Sequence, residues 1–314
     1  MKALAVDLGG SHATCALVGD QSVLVSKVVA TDGSHGLEPV LPVLRETFVG
    51  LLSQSRMSAS DGEGLAFSFC GIVDSSTQRI LATNGKYDDG PSLDLVGWCR
   101  ESFGITLKMA NDARMALLGE WYAGAARGSN DVVMITLGTG MGGAAMVQGQ
   151  LLWGKHFQAG CLGGHFPVQF NGRTCSCGAI GCAEAEASTV SLPGLCKSNP
   201  GYESSELARD EPVTFEKLFQ YGQKGDHVAI EIRERCLQVW GAATVALIHA
   251  YDPELLVLGG GVMKSASVIL PYLQNYIHRH AWTPWGKVKV CAAELGNDAA
   301  LLGAIPLLRG LADR

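Results

Sequence analysis

Charge is scarce in this chain: Asp, Glu, Lys and Arg make up only 17% of its 314 residues, against 47% hydrophobic residues and a mean hydropathy of +0.17. Such a composition leaves little material for a long disordered tail and describes a globular protein of one large or two medium domains. Basic residues are fewer than acidic ones, with a net charge of −6 and a pI near 5.7. That balance excludes a general nucleic-acid binder, which needs a basic face. No run of 18 apolar residues occurs. The richest stretch, Val239 to Ala250, is short and contains His249, so it reads as a buried helix and no membrane partner is expected. No leader is expected, because a strand-like pattern starts at once. Ten cysteines without a leader point to a reducing cytoplasm. Seven of them (Cys15, Cys70, Cys99, Cys161, Cys196, Cys236, Cys291) are scattered among apolar neighbours and read as core.

Glycine, by contrast, is abundant, with 40 residues or about 13% of the chain against an average near 7%. The glycines cluster, and the clusters repeat. LAVDLGGSHATCALV (Leu4 to Val18) and VMITLGTGMGGAAMV (Val133 to Val147) each read as strand, glycine turn, strand. Two copies of one plan predict two α/β lobes. A helix-period stretch follows His35, strands lie near Gly64–Phe69 and Ile105–Ala110, and a helix starts at Asp112. Helices near Ala229–Ala250 and Ala266–His278 flank a strand at Leu255–Leu258. Gly138, Gly140 and Gly143 match G-x-G-x-x-G, but the next residues, AAMVQGQLLW, are strand-like. The dinucleotide fingerprint needs a helix there, so that reading fails. A hairpin whose backbone N–H groups meet phosphate oxygens fits better. A third cluster, Gly259 to Gly261, offers either a bare shelf for a flat ring or close packing of helix on strand.

Between these clusters stand His165, Cys175, Cys177 and Cys182, spaced H-x9-C-x-C-x4-C. Four soft or borderline ligands within twenty residues suit a closed tetrahedral zinc site. A closed site has no open position for chemistry, so such a metal staples a loop.

Together these residues resemble the ROK family (repressors, open reading frames and sugar kinases) over nearly the full length. Asp7, Gly9, Gly10 and Ser11 resemble its first phosphate motif. Gly138, Thr139, Gly140, Gly142 and Gly143 resemble the second, and Asp252 to Val262 resembles the adenosine motif. Gly164–His165 and Cys175 to Glu184 resemble its zinc signature. The resemblance implies a two-lobed actin-like ATPase (ribonuclease H-like) α/β fold with an interlobe cleft for ATP and a hexose. It implies a small lobe over residues 1–111, completed by a C-terminal helix over about 297–314, and a larger lobe over 112–296 carrying the zinc loop 165–184. Structural Zn²⁺, Mg²⁺ on ATP with Asp7 nearby, and a homodimer are further implications. Family repressors carry a helix-turn-helix domain before the first phosphate motif. Here Asp7 follows only six residues, so a kinase is expected.

In that family the chemistry centres on Asn111 and Asp112. Read alone, Asp112 is a helix N-cap. With the resemblance it becomes the general base that accepts the proton of a sugar hydroxyl attacking the γ-phosphate, while Asn111, His165 and Glu184 bind the sugar. Several positions depart from the family pattern. The glutamate expected three residues before the zinc histidine is absent, and the stretch reads Ala159-Gly160-Cys161-Leu162-Gly163-Gly164-His165. Arg114 replaces an asparagine, Cys70 replaces a turn proline, and Asn84–Asp89 (NGKYDD) is unusually charged. This last segment reads as a solvated loop, or as one in which Lys86 or Asp88 replaces a lost sugar contact. Loss of the carboxylate leaves two readings: a kinase for a hexose or hexose derivative, and a non-catalytic sugar sensor on the same fold.

Overall fold

In the computed structural model, which describes residues 1–312, the apolar run ALAVDL forms β1 (Ala3–Leu8), with every residue buried except Asp7, which is half-buried. It lies inside a sheet with β2 (His12–Val18), β3 (Val23–Ala30), β4 (Leu65–Phe69) and β7 (Leu107–Asn111), in the order β3-β2-β1-β4-β7. The first three strands are an antiparallel meander, and β4 and β7 add in parallel. The central strands are apolar on both faces, as a covered sheet requires, whereas the edge strand β3 alternates. Between β4 and β7 come a small hairpin, β5 (Ile72–Asp74) and β6 (Arg79–Ala82), and helix α2 (Leu95–Phe103); α1 (Val40–Gln54) precedes β4. Leu44, Phe48, Phe67 and Phe69 fill the core against this sheet, each fully buried.

Helix α3 (Asp112–Ala123) leaves the end of β7 directly. A second sheet repeats the plan of the first. β8 (Val132–Leu137), β9 (Met141–Val147) and β10 (Gln150–Leu151) form the meander, and β11 (Leu255–Gly259) and β12 (Lys289–Ala292) add in parallel, in the order β10-β9-β8-β11-β12. Both glycine turns are thus hairpins, as the sequence predicts. Short helices α4 (Ala183–Ala187) and α5 (Leu192–Lys197) and longer ones α6 (Phe215–Gln223), α7 (His227–Tyr251) and α8 (Ala266–His280) follow. Trp240 of α7 is the largest buried side chain, packing on Phe215 and donating to the Ala187 carbonyl at 2.8 Å. The chain ends in α9 (Ala299–Leu302) and α10 (Ala304–Arg309).

Two units result. The first holds Met1–Asn130, Ala145–Cys161 and the chain from Ala293 onward; the second holds Asp131–Ala144 and Leu162–Ala292. They divide the chain elsewhere than at Asn111, because α3 packs with α9 and its Glu120 is a buried carboxylate accepting from the N–H groups of Glu294 and Leu295. Among the described residues no helix is long and apolar enough to cross a membrane.

Candidate functional site

The first unit places Asp7 on β1, Asn111 at the end of β7, a parallel strand separated from β1 by β4, and Asp112 at the start of α3. Asn111, not Asp112, caps the helix: its Oδ1 accepts from the N–H groups of Ala113 and Arg114 at 3.1 and 3.4 Å. Its amide donates to the Gly71 carbonyl at 3.2 Å and to Asp112 Oδ1 at 2.8 Å. Asp112 also accepts from the Ala113 N–H at 2.8 Å, through the same Oδ1. The N-cap reading of Asp112 is therefore corrected, since the preceding residue has the extended backbone a cap needs. Desolvation, followed by the nearby charge of Asp7, raises the Asp112 pKa to about 6. Desolvation also raises that of Asp7, opposed by a 2.6 Å hydrogen bond from the Ser68 hydroxyl and by His12. A carboxylate whose pKa is raised to about 6 is suited to accept a proton.

Arg114, one of the departures from the family pattern, is fully buried. Its guanidinium donates to four carbonyls: Ala159 at 2.7 Å, Leu152 and Phe157 at 2.9 Å and Trp153 at 3.4 Å. It also lies over the Trp153 ring, 4.7 Å from the centroid. The loop leading to Cys161 is thus tied to the first turn of α3. The Cys161 thiol is buried and turned onto the Phe157 and Gln158 carbonyls, and burial pushes its pKa up. Sequence reasoning left Arg114 without a role. The available signal was an arginine set among apolar residues in the first turn of a helix.

The segment Asn84–Asp89 is no solvated loop. Tyr87 is fully buried, and its hydroxyl donates to the Gly9 carbonyl at 2.6 Å. Its N–H reaches the Gly33 carbonyl at 2.6 Å. Asp89 accepts from the Leu37 and Glu38 N–H groups at 2.5 and 2.9 Å. The aromatic ring wins the segment for the core, while Asn84 and Asp88 stay exposed, the latter bonded by the Thr83 hydroxyl.

In the second unit the turn between β8 and β9 carries Gly138, Thr139, Gly140, Gly142 and Gly143. Glu184 lies against it, accepting from the Met141 N–H at 2.9 Å. A Cβ on Gly140 would fall 2.3 Å from Glu184 Oε2, so only glycine permits this contact. The N–H groups of Thr189 and Val190 bond the Gly138 and Thr139 carbonyls, both at 3.1 Å. At the third cluster, a Cβ on Gly260 would sit 2.3 Å from the Leu137 carbonyl, which is close packing, whereas one on Gly261 would meet nothing within 4 Å. Only part of that cluster is a bare surface.

The ligand atoms of His165, Cys175, Cys177 and Cys182 all lie within 4.8 Å of one another. A tetrahedral site with metal–sulfur bonds near 2.3 Å and metal–nitrogen bonds near 2.0 Å has edges of roughly 3.8 Å between sulfurs and 3.5 Å from sulfur to nitrogen. Here Cys177 Sγ and Cys182 Sγ are 3.7 Å apart, and Cys175 Sγ and His165 Nδ1 are 3.5 Å apart. The donor set fits one ion. Sequence reasoning missed Glu186, whose fully buried carboxylate ties the start of this loop, the Arg173 N–H at 2.5 Å, to Arg235 of α7 at 2.5 Å.

Comparison with known proteins bears on this arrangement. The family model described as the ROK family matches residues 3–310. A glucokinase of Thermotoga maritima is 29% identical over 318 residues, covering 98% of both chains. Among solved structures, a ROK family glucokinase from Streptomyces griseus in complex with glucose and AMPPNP superposes with a TM-score of 0.82 at 25% identity, over 99% of this chain and 100% of that one. A ROK hexokinase from Thermus thermophilus gives 0.77 at 29% identity, over 98% and 97%.

Proposed function

This chain belongs to the ROK family, and from that premise we propose that it is an ATP-dependent kinase for a hexose or hexose derivative. The observation that carries the reading is Asp112. Its carboxylate is relieved of capping by Asn111 and raised toward neutrality by burial. In the reaction a sugar hydroxyl oxygen forms a bond to Pγ of ATP as the bond from Pγ to the β,γ-bridging oxygen breaks. That bond's electron pair leaves with ADP, and the hydroxyl proton passes to Asp112. Asp7 would be the carboxylate nearest Mg²⁺ on the ATP phosphates, an ion that would offset their negative charge. The turns at Gly9–Ser11 and Gly138–Gly143 would meet the phosphates with those backbone N–H groups not already bonded within the turns, as those of Gly9 and Gly138 are, and Gly261 would supply open backbone for the adenosine.

Sugar recognition falls to Glu184 and His165, with Asn111 fixing the Asp112 carboxylate through its amide. His165, Cys175, Cys177 and Cys182 would hold zinc, which when bound fixes the loop between them and limits the ordering entropy lost on sugar binding. Cys161 and Leu162 stand where the family pattern has a carboxylate, and neither accepts strong hydrogen bonds from hydroxyls. The preferred sugar therefore differs from one gripped by that carboxylate. A coupled ADP-release assay over hexoses, amino sugars and N-acetyl amino sugars, with ATP and Mg²⁺, tests the proposal. Turnover of one or more is expected; none on any would refute it.

A further inference from the structure

We infer that Lys86 is a further catalytic residue, whose ammonium binds the γ-phosphoryl group of ATP and carries part of its negative charge through the transfer. This rests on the kinase reading above and adds a residue that none of its motifs contains. Three observations within the first unit carry it.

The first is where the side chain lies. A Cβ on Gly10 would fall 2.7 Å from Lys86 Nζ and 2.8 Å from its Cε, so the ammonium end rests on the backbone of the first phosphate turn. The lysine thus occupies the space that a side chain at position 10 would take. The second is how the chain holds it there. Tyr87, the next residue, sits at φ +59°, a left-handed conformation that costs a bulky residue on the order of 1 kcal/mol or more. It is held there by hydrogen bonds to Gly9, the chain neighbour of Gly10, and to Gly33, whose N–H bonds the Gly10 carbonyl at 3.0 Å. The Thr31 hydroxyl is a further partner of the Tyr87 hydroxyl at 2.9 Å. Strain and three bonds are devoted to fixing the residue beside Lys86 against one turn. The third is the electrostatic company. Burial chiefly raises the Cys70 thiol pKa, and Asp112, Lys86 and Asp7 all act on it, so the ammonium lies within coulombic range of the same thiol as both carboxylates.

An ammonium there has a defined task. The transferring group spreads negative charge over three equatorial oxygens while its bond to the bridging oxygen breaks. A lysine acts on it as a compact point charge with three donors. Its contribution is electrostatic, so no proton need leave Lys86, and the hydroxyl proton still goes to Asp112.

The test compares wild type, Lys86→Gln and Lys86→Arg, with thermal melting to confirm that each folds. Binding of ATP and of ADP is measured by calorimetry, alongside kcat on the sugar that the panel identifies. Lys86→Gln is expected to weaken ATP by about 10- to 100-fold while ADP changes little, because a charge-assisted bond to the γ-phosphate is lost. Its kcat should fall roughly 100-fold, and Lys86→Arg should restore most of both. Equal shifts for ATP and ADP, or no shift, would overturn the assignment whatever happens to kcat. If the wild type turns over no sugar, the kinase reading fails by itself while the ATP-to-ADP comparison still decides Lys86; a wild type that binds no ATP overturns both.

Discussion

Arg114 lies over the indole of Trp153, 4.7 Å from the ring centroid, and the same guanidinium gathers the carbonyls on both sides of that tryptophan's loop. A fully buried cation is costly unless its donors are satisfied, and here carbonyl dipoles take that role for the two terminal nitrogens. Arg114→Met removes the donors to four carbonyls, of which Trp153 keeps the Ala159 N–H and Phe157 keeps the Cys161 thiol. A loss of about 3 kcal/mol is expected, read as a drop in thermal midpoint of roughly 6–12 °C. Arg114→Lys keeps the charge but not the planar fork, and should recover less than half of the loss. A melting curve unchanged in Arg114→Met would show the clamp contributes nothing.

Asp112→Asn should lower kcat by about 10²- to 10⁴-fold with sugar affinity nearly unchanged. Asparagine retains an oxygen to accept from the Ala113 N–H, and Asn111 still caps α3, so the fold is not the variable. Calorimetric titration with the sugar separates the two effects. Turnover equal to wild type would remove Asp112 as base.

In the proposed role of base, Asp112, whose pKa is raised to about 6 by burial and by Asp7, must be ionised to work. Activity is therefore expected to be full above that value and to decline as pH falls through it, two units above the ordinary aspartate range. The acid limb of kcat/KM for the sugar reports the free enzyme and should have its midpoint near 6. The sign follows from the cause: a like charge and a dry surrounding both favour the protonated form. A limb near 4 would mean that Asp112 is solvated and uncoupled from Asp7.

What was legible in the sequence was local. The glycine turns lie between short apolar runs, so β1–β2 and β8–β9 follow from neighbours a few residues apart. The four metal-type ligands fall within twenty residues, and the loop between them has little choice but to converge. What was not legible depended on partners far along the chain. Arg114 is buried because carbonyls about forty residues later need donors, and nothing near it in sequence says so. Tyr87 turns a charged segment inward because Gly9 offers a carbonyl 78 residues earlier. Asn111 took the cap from Asp112 through a one-residue difference in where α3 starts, a margin at which sequence patterns do not resolve a helix end.

Gly140→Ala should damage the second unit's turn through Glu184 and not through the turn's own backbone. The new methyl would meet Glu184 Oε2 at 2.3 Å, and the carboxylate must then leave its 2.9 Å bond to the Met141 N–H. Glu184 follows Cys182 by two residues on α4, so displacing it strains the same loop that the His165 and cysteine cluster closes. A raised KM for the sugar, about tenfold, is expected together with a metal content by elemental analysis equal to that of the wild type. Glu184→Ala in the Gly140→Ala background should add little further, because both changes empty the same position. Fully additive effects would show that Gly140 and Glu184 act separately. A lower metal content in Gly140→Ala would place the damage in the metal cluster instead.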